Sequence, residues 1–163
     1  MDTAEMERIY SKIAKKIVQM IPEEWARVFV YGEILEDVQK GFFYYLTKDG
    51  NQPIYSYYIP KLFGVPKEKY GEQREEFLNS LQELWEVFKR SAEPVWTSMT
   101  MILESTGKFK IDYDYEDLTE ADDHERLIIW KYKYLGLIPE DEDDKEFLEE
   151  YLKNAKTDIS QDI

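Results

Sequence analysis

The sequence predicts an α+β fold: a single antiparallel β-sheet of about five strands with helices packed on it, in the order α-β-β-β-α-β-β-α-α. Three observations carry that expectation. Two long stretches repeat apolar residues at steps of three and four, the period of an amphipathic helix. Several shorter stretches are rich in β-branched and aromatic residues and are bounded by turn-forming Gly, Asp, Asn and Pro. The strands fall in two groups, one before and one after a long helix, and two further helical stretches close the chain. With 163 residues, 43% hydrophobic and 15% aromatic, the chain has ample material for one core. A single domain is expected over 1–154, with 155–163 as a flexible C-terminal tail.

The elements follow in order. Residues 3–21 read as a helix capped by Thr3 and ended by Pro22. Met6, Ile9, Ile13, Ile17 and Met20 form its apolar stripe, and Lys12, Lys15 and Lys16 lie mostly opposite. It reads as a helix packed on a sheet; a membrane-surface helix is opposed by the acidic remainder of the chain. Trp25 to Leu35 reads as a strand with Ala26, Val28, Val30 and Ile34 on one face and Arg27, Phe29, Tyr31 and Glu33 on the other. Asp37 to Gly41 is expected to turn into a second strand, Phe42 to Thr47. Lys48 to Asn51 turns into a third, Ile54 to Ile59. Both faces of this meander carry large apolar groups, so both are expected to be partly covered.

Pro60 to Pro66 reads as a connector. Lys67 to Ala92 is a long helix with Tyr70, Phe77, Leu81, Leu84, Trp85 and Phe88 as its stripe and Pro94 past its end. Trp96 to Glu104 is a fourth strand, with Thr97, Met99, Met101 and Leu103 on one face. After a turn at Ser105 to Gly107 comes the fifth, Lys108 to Tyr115, with Phe109, Ile111, Tyr113 and Tyr115 inward and Lys108, Lys110, Asp112 and Asp114 outward. Residues 120–135 read as helical, stopped by Gly136, with a strand at Leu127 to Trp130 as the competing assignment. Glu140 to Asp144 opens a last helix expected to end near Asn154; acids there favour the helix dipole.

The charge is unevenly placed. The net charge is −14, and residues 112–150 hold 16 of the 35 acids against four bases, a net of −12. Such a concentration points to disorder, a metal site or a surface for a basic partner. Net −14 opposes direct binding to nucleic acid or to an anionic membrane, so neither is expected as a partner. The chain has no cysteine, no basic-then-apolar leader at MDTAEMERIY and no apolar run of membrane-spanning length, which fits a cytoplasmic location.

Catalytic patterns are missing. His124 is the one histidine, set among acids, with no nucleophile that can be assigned to it. There is no GxxxxGK[ST], GxGxxG or HExxH. Asp141-Glu-Asp143-Asp144 superficially resembles the start of a Ca²⁺ loop but lacks the central Gly and the later ligands. A glycosidase pair would need one desolvated carboxylate, and this cluster reads as solvated charge. No metal, no cofactor and no enzymatic activity are therefore expected. The binding reading fares better: Asp112, Asp114, Glu116, Asp117, Glu120, Asp122, Asp123 and Glu125 form one acidic run, and Glu140, Asp141, Glu142, Asp143 and Asp144 a second. Tyr113 and Tyr115 belong either to the core or to the edge of an interface. A plainer alternative is that this charge keeps the protein soluble and the sheet edge unpaired.

Several segments together carry a family resemblance: Glu24-Trp25 with Val28 to Glu33, Val95 to Thr100, Leu103 to Tyr115, Arg126 to Tyr132, and Leu135-Gly-Leu137 with Pro139 and the acidic run Glu140 to Asp144. In order and spacing over residues 3–154 the chain resembles the YezG/EsaG-type antitoxin, or immunity, family of Gram-positive bacteria. The resemblance implies a cytoplasmic, non-enzymatic protein that binds and neutralises a cognate nuclease toxin domain, typically of an LXG-type polymorphic toxin exported by the type VII secretion system. It supplies no residue-level map. On charge and exposure, the candidate toxin contacts are Asp112, Asp114, Glu116, Asp117, Glu120, Asp122, Asp123, Glu140 to Asp144, Tyr113 and Tyr115, an acidic surface imitating DNA before a basic protein. The competing function is a chaperone-like adaptor that keeps a secreted toxin soluble and export-competent without blocking its active site. A carboxylate- or Ca²⁺-dependent enzyme is a third and weaker possibility.

Overall fold

The structure is a computed structural model that describes residues 3–50 and 52–161, with side chains as far as Lys156. The chain divides into two compact units, Met1–Asp117 and Leu118–Ile163. The elements run α1 (Thr3–Met20), β1 (Arg27–Leu35), β2 (Val38–Leu46), β3 (Ile54–Tyr55), a 3₁₀ turn (Ser56–Tyr58), α2 (Ile59–Phe63), α3 (Lys67–Arg90), β4 (Ser98–Glu104), β5 (Phe109–Asp114), α4 (Asp123–Leu135) and α5 (Glu142–Gln161). This is the expected α+β class and order, with one short helix added.

The first unit holds one antiparallel sheet in the order β3-β2-β1-β4-β5. The expected stripe of α1, Met6 to Met20, is buried, as is that of α3, and the two helices pack together on one face of the sheet. Val28, Val30 and Ile34 of β1, Phe43 and Tyr45 of β2, and Met99, Met101 and Leu103 of β4 complete this core. Basic residues of α1 are taken up by acids of α3: Arg8 and Lys12 both reach Glu83, at 3.0 and 2.9 Å, and Lys16 reaches Glu76 at 3.0 Å. The hydrogen bond from Lys12, aided by Arg8, holds the Glu83 carboxyl below its ordinary range. These pairs favour the packed-helix reading of α1; being largely exposed, each contributes at most about 1 kcal/mol.

The hairpin between β1 and β2 is tighter than the sequence suggests. Leu35 pairs with Val38, so the turn is Glu36-Asp37 and the second strand begins at Val38. Gly41, expected in the turn, lies in the strand opposite Gly32. Both glycines lie under Leu81 of α3, which a Cβ on either would meet at 2.9 Å. Their purpose is therefore a close approach of helix to sheet, not a turn.

The third strand also differs, stopping at Tyr55 instead of Ile59. The hydroxyl of buried Ser56 accepts the Phe43 amide at 3.1 Å, and the Ser56 carbonyl accepts from the Tyr70 hydroxyl. Side-chain groups thus replace the backbone ladder at that point, and the chain can curl into the 3₁₀ turn. Pro60 then sits in the first turn of α2, where its missing N–H costs nothing, so part of the expected connector is helical. Gly64 closes α2 in the left-handed region, φ 67°.

The opposite sheet face carries a second aromatic layer. Phe29, Tyr31, Phe42 and Tyr44 are buried there, with Tyr31 stacked on Phe42 at 5.2 Å. The expectation that both faces are covered holds for these strands. In the second unit, α4 and α5 pack on each other. The helical assignment of 120–135 prevails over the strand, and Gly136 ends α4 at φ 67°. Helix α5 continues to Gln161, beyond the end expected near Asn154. Of the expected turn at 48–51, Asn51 lies outside the described residues, as do the last two residues of the tail.

Candidate acidic interface

The acidic candidates divide between the units. In the first, β5 is an edge strand, bonded only to β4. Its register with β4 turns Phe109, Ile111 and Tyr113 to the α1–α3 face and Lys110, Asp112 and Asp114 to the other. The inward and outward alternation is therefore right, but not every inward residue is buried. Phe109 is about half-exposed, edge-on to Tyr10 at 5.7 Å, and Tyr115, beyond the strand, is exposed. The cause is position: both stand at the ends of an edge strand, where only one neighbour shields them.

Tyr113 is held inside the unit. Its hydroxyl shares a 2.7 Å hydrogen bond with that of Tyr10, and its ring lies 5.0 Å from Phe88 and 6.0 Å from Trp96. Burial, and then this bond, raise its hydroxyl well above the ordinary tyrosine value. Asp112 lies 3.8 Å from Lys110 on the same face. Asp114 accepts the Glu116 amide at 2.9 Å, closing a turn that also engages Thr97, whose hydroxyl donates to the Glu116 carbonyl at 2.7 Å. Asp114, Glu116 and Asp117 are exposed. The strand end thus presents ordered carboxylates, which removes disorder as the reason for the charge here.

In the second unit the acids are placed by helix starts. Asp122 caps α4, accepting the Glu125 amide at 3.1 Å. Asp141 does the same before α5, accepting the Asp144 amide at 3.1 Å. Acids are favoured at such positions because the first amides of a helix point unpaired toward them. His124 Nε2 lies 2.8 Å from Asp144 Oδ1, joining the two helix starts. The hydrogen bond to Asp144, and then its charge with those of Asp122 and Asp141, raise the His124 pKa. Asp122 and Asp141 are thereby gathered with Asp144 about one imidazole. Glu120 and Glu140 are exposed just ahead of these starts.

The sequence reading missed three features. The His124–Asp144 link spans 20 residues and has no local signal. Glu33 is buried and accepts from the Tyr31 hydroxyl at 2.7 Å; the only hint was a carboxylate alternating with aromatics. The third is a group of exposed aromatic and apolar side chains after β3, hidden within a stretch read as strand and connector. Among the described residues no three or more His, Asp or Glu are grouped to hold a metal ion, and no helix is long and apolar enough to cross a membrane.

Comparison with known proteins gives consistent matches along nearly the whole chain. The family described as "Immunity protein YezG-like" matches residues 6–149. The chain is similar to "Immunity protein YezG" of Bacillus subtilis (strain 168), 39% identical over 149 residues, which are 90% of this chain and 99% of the relative. The protein of that name from Bacillus spizizenii is 39% identical over 161 residues, 98% of this chain and 100% of the relative. "Type VII secretion system protein EsaG" of Staphylococcus aureus is 30% identical over 159 residues, 93% of this chain and 96% of the relative.

Proposed function

The chain belongs to the YezG-like family of immunity proteins, and from that premise we propose that it is an antitoxin that binds and neutralises a cognate secreted toxin without catalysis. We take the toxin to be a nuclease of the LXG, type VII-exported kind, and the acidic surfaces to receive its basic DNA-binding face. The protein acts in the cytoplasm, before the toxin leaves the producing cell or after one arrives from a sibling.

The observation that carries this reading is the ordered presentation of the charge. Asp112, Asp114, Glu116 and Asp117 stand at the end of an edge strand, and Asp122, Asp123 and Asp141 to Asp144 at two helix starts joined through His124. Carboxylates fixed in space can match a row of phosphate-binding side chains; mobile ones would lose entropy on docking. Charge of this sign raises the association rate by roughly 10 to 10³ and makes it salt-dependent. Tyr115, exposed beside the first group, is the aromatic anchor there, while Tyr113 shapes the strand that carries it.

The test is inhibition of the purified cognate toxin domain in a DNA-cleavage assay, at low and high salt, by the wild type and by Asp112→Asn, Asp114→Asn, Glu116→Gln, Asp117→Asn combined. Wild type should stop cleavage, and the variant should associate at least about tenfold more slowly with a flatter salt dependence. If cleavage continues with wild type bound, the protein is an adaptor instead of an inhibitor. If the variant matches wild type in rate and salt response, this surface is not the contact.

A further inference from the structure

β5 is one open edge of the sheet in the first unit, bonded only to β4. The direction of its backbone groups follows from the ladder. The Lys108 carbonyl accepts the Glu104 amide at 2.8 Å, and the Asp114 carbonyl accepts the Thr97 amide at 2.8 Å. Bonding sides alternate along a strand, so Lys108, Lys110, Asp112 and Asp114 turn their backbone groups toward β4. Phe109, Ile111 and Tyr113 turn theirs outward, and among the described residues no backbone group from outside the sheet reaches them. Phe109, about half-exposed, stands beside that open row.

An open row of this kind invites a further strand, and charged residues on an edge ordinarily prevent one. Here the order of the charges reverses that effect. From Lys108 the strand reads Lys-Phe-Lys-Ile-Asp-Tyr-Asp, with cations in the first half and carboxylates in the second. It is complementary to itself when reversed about Ile111. Set antiparallel to a second copy with Ile111 beside Ile111, Lys108 stands opposite Asp114, Lys110 opposite Asp112 and Phe109 opposite Tyr113. The backbone agrees with this register. The pairs Ile111–Ile111 and Phe109–Tyr113 join residues whose amides and carbonyls point outward, so each pair can exchange both its bonds. The charged pairs fall at the alternate sites, where opposed residues come closest, about 4.5 Å between Cα atoms. Other registers fail. A parallel, in-register pairing sets lysine beside lysine, and an antiparallel slip of two residues opposes Lys110 to Lys110 or Asp112 to Asp112.

We propose that β5 pairs antiparallel with β5 of a second copy of this chain, about a two-fold axis at Ile111, so that the sheet continues from one copy into the other. Lys110, which lies 3.8 Å from Asp112 of its own strand, then meets Asp112 of the second copy as well. Phe109 gains Ile111 and Tyr113 of the second copy on its open side. Glu116 and Asp117, which follow the strand, fall beside Thr106 and Ser105 of the second copy, which carry no charge. The net charge of −14 repels a second copy at a distance. That field is screened beyond about 8 Å at physiological salt, whereas the strand's own two lysines and two aspartates sum to zero and act at contact. Contact through one strand is small, so the pair is weak and concentration-dependent. The inference goes beyond the antitoxin reading and is tested without a toxin. Asp112 and Asp114 serve both readings, so a toxin and a second copy exclude each other at this edge.

Sedimentation equilibrium of the whole protein at about 0.15 M salt, from about 5 to 500 μM, should show the wild type passing from monomer to dimer and no further. Lys108→Asp with Lys110→Asp, and Asp112→Lys with Asp114→Lys, should each be monomeric, since each lines the edge with one sign of charge. Mixed in equal amounts, the two variants should pair with each other at least about tenfold more tightly than either pairs with itself. In amide exchange by NMR, the Phe109, Ile111 and Tyr113 amides of the wild type should slow as concentration rises, while those of Lys110 and Asp112, already held by β4, should not change. The proposal is overturned if the wild type stays monomeric throughout, if it forms larger species, if either variant dimerises as the wild type does, or if the mixture stays monomeric. It is equally overturned if the three outward amides exchange alike in monomer and dimer, a measurement that depends on no variant.

Discussion

Gly32→Ala offers the sharpest check on how the first unit is packed. A methyl group at Gly32 would stand 2.9 and 3.1 Å from the two terminal carbons of Leu81 and 3.3 Å from Met99 Cγ. Comfortable carbon contacts begin near about 3.5 Å, so the overlap is several tenths of an ångström on three atoms at once. Leu81 is fully buried, and Gly41 brings a second strand against the same side chain, so Leu81 has no open direction in which to swing. Overpacking of this kind costs about 1–3 kcal/mol. Neither glycine has a positive φ, so alanine is not strained by its backbone and instead gains about 0.4–1 kcal/mol by restricting the unfolded chain. The net expectation is a loss of about 0.5–2 kcal/mol.

The double-mutant cycle with Leu81→Ala isolates the cause. Leu81→Ala alone should cost about 2–5 kcal/mol, as a cavity replaces a buried side chain. In that background the Gly32 methyl has space to enter, so Gly32→Ala should become neutral or slightly stabilising, a coupling of about 1–3 kcal/mol. The assay is urea unfolding followed by far-UV circular dichroism, with the slope checked for constancy between variants. An equal penalty for Gly32→Ala in both backgrounds would show that Leu81 is not what the glycine accommodates.

Three other expectations concern the acidic elements. By NMR, His124 should titrate above its ordinary value near about 6.5, and Asp144→Asn should lower that midpoint; the proton held by the folded form means that this link favours folding at pH below the ordinary value and loses its effect as pH rises through the raised one. Tyr10→Phe and Tyr113→Phe should each cost about 0.5–1.5 kcal/mol, and the double variant less than their sum, because they share one hydrogen bond; additive losses in a thermal melt would contradict that. Asp122→Ala should destabilise by about 0.5–2 kcal/mol as a lost cap, whereas Asp122→Asn should leave stability nearly unchanged while still removing a charge from the proposed toxin surface.

What the sequence made legible divides along a physical line. The helix stripes Met6 to Met20 and Tyr70 to Phe88 were readable because burial there repeats with the helical period, and a period survives without knowledge of the partner. The face assignments of β4 and β5 were readable for the same reason at period two. Gly41 was misread because glycine serves both turns and close approaches, and only the position of Leu81, 40 residues later, tells which. The end of β3 was hidden because a side-chain hydroxyl and a distant tyrosine, Ser56 and Tyr70, do work that local propensity assigns to backbone. The candidate site shows the same divide. Its composition was plain from residues 112–150, but its grouping about His124 depends on a contact 20 residues apart.

The grouping also alters what the acids mean. Asp122 and Asp141 are caps, and Asp144 is bonded to His124, so part of the negative charge is required by the helices that display it. Asp114 has a similar double part, closing the turn after β5 through the Glu116 amide. These four carboxylates thus have a structural reason to be where they are. Among the described residues the carboxylates of Glu116, Glu120, Glu140, Glu142 and Asp143 are exposed and accept no such cap or turn bond. Charge kept on the exposed surface of an ordered element, without local use, is held against its own repulsion. That excess, and not the acidic total, is the portion a basic partner would relieve. Neutralising it should therefore weaken toxin binding while leaving the melting temperature unchanged or raised.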